Sequence, residues 1–182
     1  WVFGTGSGRI RESYIKNYNS PFAVESMLMK FKNVDIFGEV TRSLYDTVRQ
    51  YIESFDVYGQ KLSFEWNRLE DEEPILYLGK EDAEHIKIPD TGHLLPKEIS
   101  YFTKSDEVMD EEEKKHLSFI QGSGHGGSHP HLVNEFIMAI VENRDSAIDV
   151  EKAANWTCAG LYGHISAMRG GEKMYLPDFW NL

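Results

Sequence analysis

A single cysteine, Cys158, stands in 182 residues. That excludes an internal disulfide framework and any zinc site built on paired cysteines. Basic residues are few as well: 19 Lys and Arg against 30 Asp and Glu leave a formal charge of −11. Such a surface repels phosphate backbones and anionic lipid headgroups, so neither nucleic acid nor a membrane is expected as a partner. No apolar run approaches the roughly 20 residues needed to span a bilayer. No signal peptide is visible, and a reducing cytoplasm is the expected compartment. The chain has no repeat or low-complexity tract. It also has no initiator Met: it starts at Trp1, directly in folded-looking sequence, which suggests a fragment of a longer protein.

What is present suffices for a core. Hydrophobic residues make up 41 % of the chain and aromatic ones 13 %, well above a disordered composition. The length suits one domain over residues 1–182. The first half reads as strands. FAVESMLMKF (22–31) and IFGEVTRSLY (36–45) flank a turn at Asn33–Val34–Asp35, and SFDVYG (54–59) and LSFEW (62–66) flank Gln60–Lys61 after Gly59, a hairpin signal. Shorter strands are expected at ILYL (75–78) and HIKI (85–88). Two acidic stretches, 70–73 and 106–115, read as solvated loops, the second also as a helix start.

The last third changes period. Ser128 is placed to cap a helix with Pro130 in its first turn, where a missing N–H is harmless. Leu132, Val133, Phe136, Ile137, Ile140 and Val141 then share one face. Asp149 caps a second helix with a stripe of Ala154, Cys158, Leu161, Ile165 and Met168. Gly160 and Gly163 inside it predict close packing, Gly170–Gly171 stops it, and MYLPDF is a strand-like tail. Strands first and helices after predict an α+β fold: one open, mainly antiparallel sheet with helices packed on one face.

Two stretches invite chemistry. VFGTGSGRI (2–10) resembles a dinucleotide fingerprint, but its G-x-G-x-G spacing does not match and only three residues precede Gly4. It reads as a glycine-rich turn. GSGHGGSHPH (122–131) packs four glycines and three of the seven histidines into ten positions ahead of an apolar helix. Glycines let a ligand approach the main chain, and a helix start favours polarised oxygens. His125 in the loop, with His129 and His131 in the first helical turn, is placed to meet a hydroxyl-rich molecule. A purely structural loop and a metal site of His125, His131 and Glu135 are the competing readings. Elsewhere, charges near Arg42 read as surface pairs, although Arg42 or Tyr58 on an open sheet face would reach a ligand. His85 reads as a strand-surface residue, His93 as a turn residue before a helix at Pro96, and His164 as a satisfied core-edge histidine. Trp66 and Trp156 are expected in the core.

SFIQGSGHGGSHPHLVNEFIMAIVEN and IDVEKAANWTCAGLYGHISAMRGGEKMYLPDF, together with YNSPFAVESMLMKF and ESFDVYGQKLSFEW, resemble the C-terminal part of the Gfo/Idh/MocA oxidoreductases. That family pairs an N-terminal Rossmann domain holding NAD or NADP with a C-terminal α+β domain, and a sugar or polyol binds in the cleft between them. The resemblance implies that the chain is the substrate-binding and oligomerisation half of an NAD(P)-dependent sugar or polyol dehydrogenase. It implies a homo-oligomer formed through the open sheet face. An NAD-dependent glycosidase of the same superfamily and a non-catalytic assembly module are the alternatives. The family's Glu-Lys-Pro motif and its Asp-x-x-x-His pair do not occur here, and position 134 is Asn where close relatives carry His. No catalytic residue and no bound cofactor or metal are therefore expected on this chain, which alone should be inactive. By the resemblance, His125, His129 and His131, with Arg42, contact substrate.

Overall fold

Val2, Gly4 and Gly6 alternate with Phe3, Thr5 and Ser7, and this period of two makes the first element a strand, β1 (Val2–Ser7). The glycine-rich turn expected here is thus not a turn. In the computed structural model, which describes residues 1–8, 12–43, 48, 52–69, 71–89, 91–100 and 124–179, the chain forms two compact units. One comprises Trp1–Arg49 with Ala147–Leu182, the other Gln50–Ser146. The coarse class is α+β, with two antiparallel sheets in place of the single sheet expected.

In the first unit a short helix, α1 (Glu12–Tyr18), precedes β2 (Val24–Lys30) and β3 (Phe37–Ser43). The sheet order is β1-β2-β3, antiparallel throughout. Asn33 makes the expected turn between β2 and β3 with a left-handed φ of 64°. Register fixes the faces: Gly4 lies opposite Met27 and Gly6 opposite Glu25, while across β2 Met27 meets Val40 and Glu25 meets Arg42. Residues directly opposite share a side, so Glu25 and Arg42 stand together on the side of Gly4, Met27 and Val40.

The long helix of this unit, Val150–Met168, begins as the sequence predicts: Asp149 Oδ1 accepts the Lys152 N–H at 2.8 Å. Gly170 and Gly171 end it at φ 71° and 90°. It packs on β1 and β2. Its buried side is Gly163, Ser166 and Ala167, not the larger stripe, of which Leu161 and Met168 stay exposed. Small side chains win because the helix lies very close to the sheet: a β-carbon on Gly163 would collide with Met27. Gly160, one turn earlier, does not pack as expected, since nothing lies within 4 Å of a β-carbon built there. Val2 and Ser166 are fully buried. The expected strand tail reduces to one bridge, Met174 exchanging both backbone bonds with Val2 at 2.8 Å.

The second unit holds a four-stranded antiparallel meander in the order β4 (Val57–Tyr58), β5 (Ser63–Glu65), β6 (Ile75–Gly79) and β7 (Asp82–His85). The hairpin at Gln60–Lys61 forms as expected, with Gly59 N–H donating to the Leu62 carbonyl at 3.1 Å. The last strand runs earlier than residues 85–88 because the turn falls at Lys80–Glu81. Phe55, Phe64 and Trp66 pack with ring centroids 5.2–5.9 Å apart, and Trp66 is only half-buried. A 3₁₀ turn, Gly92–Leu94, contains His93, and α2 (Lys97–Ser100) follows Pro96. Residues 106–115 and Glu70 lie outside the described residues.

The helix α3 (Gly124–Val141) starts earlier than Ser128. Ser128 is therefore not its cap, and Pro130 stands inside the helix rather than in its first turn, three residues after Gly127 with its positive φ of 84°. Its apolar stripe is not core. Leu132, Val133, Phe136, Ile137, Ile140 and Val141 are 50 % to 70 % exposed, because helical spacing shows which side is apolar and not whether anything covers it. Trp156, on the helix Val150–Met168 (hereafter α4), is likewise exposed rather than core. Among the described residues no helix is long and apolar enough to cross a membrane.

Candidate functional site

Glu25 is a single acid in an otherwise apolar alternation, and β2 turns it towards α4 together with Met27 and Met29. Two partners meet it there. From β3, the Arg42 guanidinium bonds Glu25 Oε2. From α4, His164 Nδ1 lies 2.5 Å from Glu25 Oε1. The carboxylate side chain is 13 % exposed, against 42 % for Arg42 and 34 % for His164. An acid this covered needs charge-assisted partners, and it has one on each oxygen.

A carboxylate oxygen only accepts, so His164 donates through Nδ1. In the neutral ring this leaves the Nε2 lone pair for a further donor. Among the described residues Nε2 has no partner. Glu25, Arg42 and His164 border a hollow of about 140 Å³ whose other walls include Met27, Val40 and Gly160. Gly160 precedes His164 by four residues and thus stands on the same helix face.

The buried joint beneath this cluster is polar too. Ser166 Oγ accepts the Gly4 N–H at 2.8 Å and donates to the Glu172 carbonyl at 2.5 Å. It ties β1, α4 and the tail together.

The sequence candidates fall as follows. Arg42 is in the first unit, in the Glu25 cluster. The histidines are in the second. His125 is in the first turn of α3, and its side chain lies outside the described residues. His129 is exposed, and His131 Nε2 is 3.1 Å from Thr91 Oγ1. Glu135 gives both oxygens to Arg144, at 2.7 and 2.8 Å. Among the described residues no three His, Cys, Asp or Glu side chains gather as a metal-binding set. His164 is the partnered edge residue the sequence suggests, but its link to Glu25 was not legible. The available signal was the acid inside the apolar alternation of FAVESMLMKF.

A second polar face lies on β4–β6. Tyr58 and Tyr77 donate their hydroxyls to Glu65 Oε1 and Oε2 at 2.9 and 3.1 Å. The negative carboxylate holds both phenols above their ordinary ionisation range. A hollow of about 540 Å³ beside Glu65 is bordered by Trp66, Arg68, Ile75 and His85.

Among the described residues the glycines of β1 do not sit in the strand–turn–helix unit of a dinucleotide fingerprint. The strand after α1, β2, runs antiparallel to β1, where a nucleotide-binding unit needs a parallel crossover. The room a pyrophosphate would need over the glycines is filled: β-carbons on Gly4 and Gly6 would collide with Gly163 and Phe22. No protein-family model, curated protein or solved structure matches the chain.

Proposed function

We propose that this chain is the substrate-binding and oligomerisation part of an NAD(P)-dependent sugar or polyol oxidoreductase of the Gfo/Idh/MocA type, with a C-terminal domain fold of that family. The observation that carries the reading is the antiparallel sheet on which Arg42 stands beside Glu25 and His164 at the edge of a hollow. Guanidinium donors and an imidazole acceptor side by side suit a hydroxyl, which both gives and takes a hydrogen bond. His125, His129 and His131 at the histidine-rich start of α3, in the second unit, are substrate contacts in this reading by the family resemblance alone. In this reading the nicotinamide chemistry belongs to a separate nucleotide-binding domain, and this chain by itself transfers no hydride. The protein works in the cytoplasm.

The experiment is to express the whole reading frame containing this sequence and assay reduction of NAD and NADP with a panel of hexoses and inositols. Reduction with at least one of them is the expected result. No reduction across the panel, together with no encoded nucleotide-binding domain, overturns the reading.

A homo-oligomer formed through the sheet has its own support. At one end of the β1–β3 face away from α4, Phe3 and Phe37 are 37 % and 57 % exposed beside Leu28, apolar surface of the sort that partners cover. Sedimentation showing a monomer at micromolar concentration would remove it.

A further inference from the structure

The Glu25–His164 pair and the bare helix surface at Gly160 have a use that neither has alone. Glu25 holds the ring by Nδ1, at 2.5 Å. Such a bond fixes the tautomer and turns the unprotonated nitrogen to the opposite side of the ring. One turn away on the same helix face, Gly160 contributes no side chain, and a β-carbon there would meet nothing within 4 Å. A helix interior favours almost any other residue over glycine, and Gly160 does not repay that cost by packing, as Gly163 does against Met27. What it leaves instead is room beside His164.

The size of that room limits its occupant. The hollow of about 140 Å³ corresponds to some four or five waters at ~30 Å³ each. That is small beside the roughly 300–1,000 Å³ of sites that enclose a whole ligand, and it suits a single arm such as a hydroxymethyl group. The walls agree in chemistry. Met27 and Val40 offer apolar surface to carbon, while His164 Nε2 offers an acceptor and Arg42 the guanidinium N–H groups that Glu25 does not use.

From this we infer that the hollow bounded by Gly160, His164 and Arg42 is a binding site for the terminal hydroxymethyl group of a polyol or sugar, with His164 Nε2 accepting the hydroxyl proton's hydrogen bond. The inference rests on the polyol reading above and narrows it to ligands with a primary alcohol end. Arg42 and His164 are the recognition residues, and Glu25 is a positioning residue that acts through the ring.

The test is a long-range proton–nitrogen correlation spectrum of the full chain labelled with ¹⁵N-histidine, His164 being assigned through H164N and glycerol used as the probe. The expected spectrum shows His164 protonated on Nδ1, with its Nε2 resonance moving as glycerol is added. Gly160→Leu, whose β-carbon meets nothing within 4 Å and whose side chain fills the hollow, should abolish that movement and leave the tautomer and the circular dichroism unchanged. A ring protonated on Nε2, an Nε2 resonance indifferent to glycerol, or a Gly160→Leu chain that responds like the parent would each overturn the inference. A glycerol response in a protein that reduces neither NAD nor NADP overturns the oxidoreductase reading and keeps the site. Dehydrogenase activity without a glycerol response does the reverse.

Discussion

The main chains of Gly4 on β1 and Gly163 on α4 are in direct contact, so close that a β-carbon on Gly4 would collide with the Gly163 carbonyl oxygen. Backbone cannot swing aside as a side chain can, so Gly4→Ala must push α4 off the sheet. Overpacking of this kind costs about 3 kcal/mol. Gly160→Ala faces open space and should add up to about 1 kcal/mol through helix propensity alone. Thermal unfolding followed by circular dichroism should therefore rank Gly160→Ala above the parent and Gly4→Ala well below it. The opposite order would mean that α4 does not lie on β1 in this way.

Ser166 is fully buried, and its hydroxyl takes the Gly4 N–H and gives to the Glu172 carbonyl. Ser166→Ala removes little volume but strands the buried Gly4 N–H and leaves the part-buried Glu172 carbonyl without its donor. The expected loss is about 2 kcal/mol in urea unfolding. A loss near zero would show that water reaches this joint.

Tyr58 and Tyr77 both bond Glu65, and the shared carboxylate raises each phenol above its ordinary value of 10.0. A group whose folded value is raised adds stability that is complete below the unfolded value and is lost as pH climbs through the folded one. The meander should thus hold to about pH 10 and loosen above it. Alkaline difference absorbance should show two of the nine tyrosines ionising late. Glu65→Gln should bring both back to the ordinary range, and nine tyrosines titrating together in the parent would refute the arrangement.

Asp149, the cap of α4, is held below its ordinary value of 3.8, first by the Lys152 ammonium and then by the Lys152 backbone N–H. Here the sign is reversed: the cap's contribution is present above that ordinary value and fades as pH falls through the lower folded one. Acid unfolding below about pH 4 should show it. Asp149→Asn keeps a capping oxygen and should flatten that acid limb while leaving stability at neutral pH near the parent's. An unchanged acid limb would mean that this cap does not titrate with folding.

Much of the local structure was legible in the residues. The Asp149 cap, the Gly170–Gly171 stop, the turn at Asn33 and the Gly59 hairpin are each set by a few neighbouring atoms, and each is where the sequence puts it. The meander of short antiparallel strands follows from that spacing. Arg42 was a candidate from its place in a strand, and its partners were not. Readings that needed knowledge of a distant surface went astray. VFGTGS looked like a turn because its glycines were weighed for backbone freedom, whereas Gly4 and Gly6 are small to admit Gly163 and Phe22. Trp156 was assigned to the core on side-chain type alone and is exposed, and the helical spacing on α3 showed an apolar side without showing that it is uncovered.

By itself, then, the sequence determined where elements begin and end and which side of each strand is which, since capping, turn formation and alternation depend on contacts within a few residues. Tertiary structure decided which faces are covered, and with that the candidate site. Glu25 and His164 are 139 positions apart and meet only because Gly4, Gly163 and Ser166 let α4 lie close on β1 and β2. Whether two surfaces close on each other depends on the fit of both at once, and no stretch of one strand or one helix carries that information.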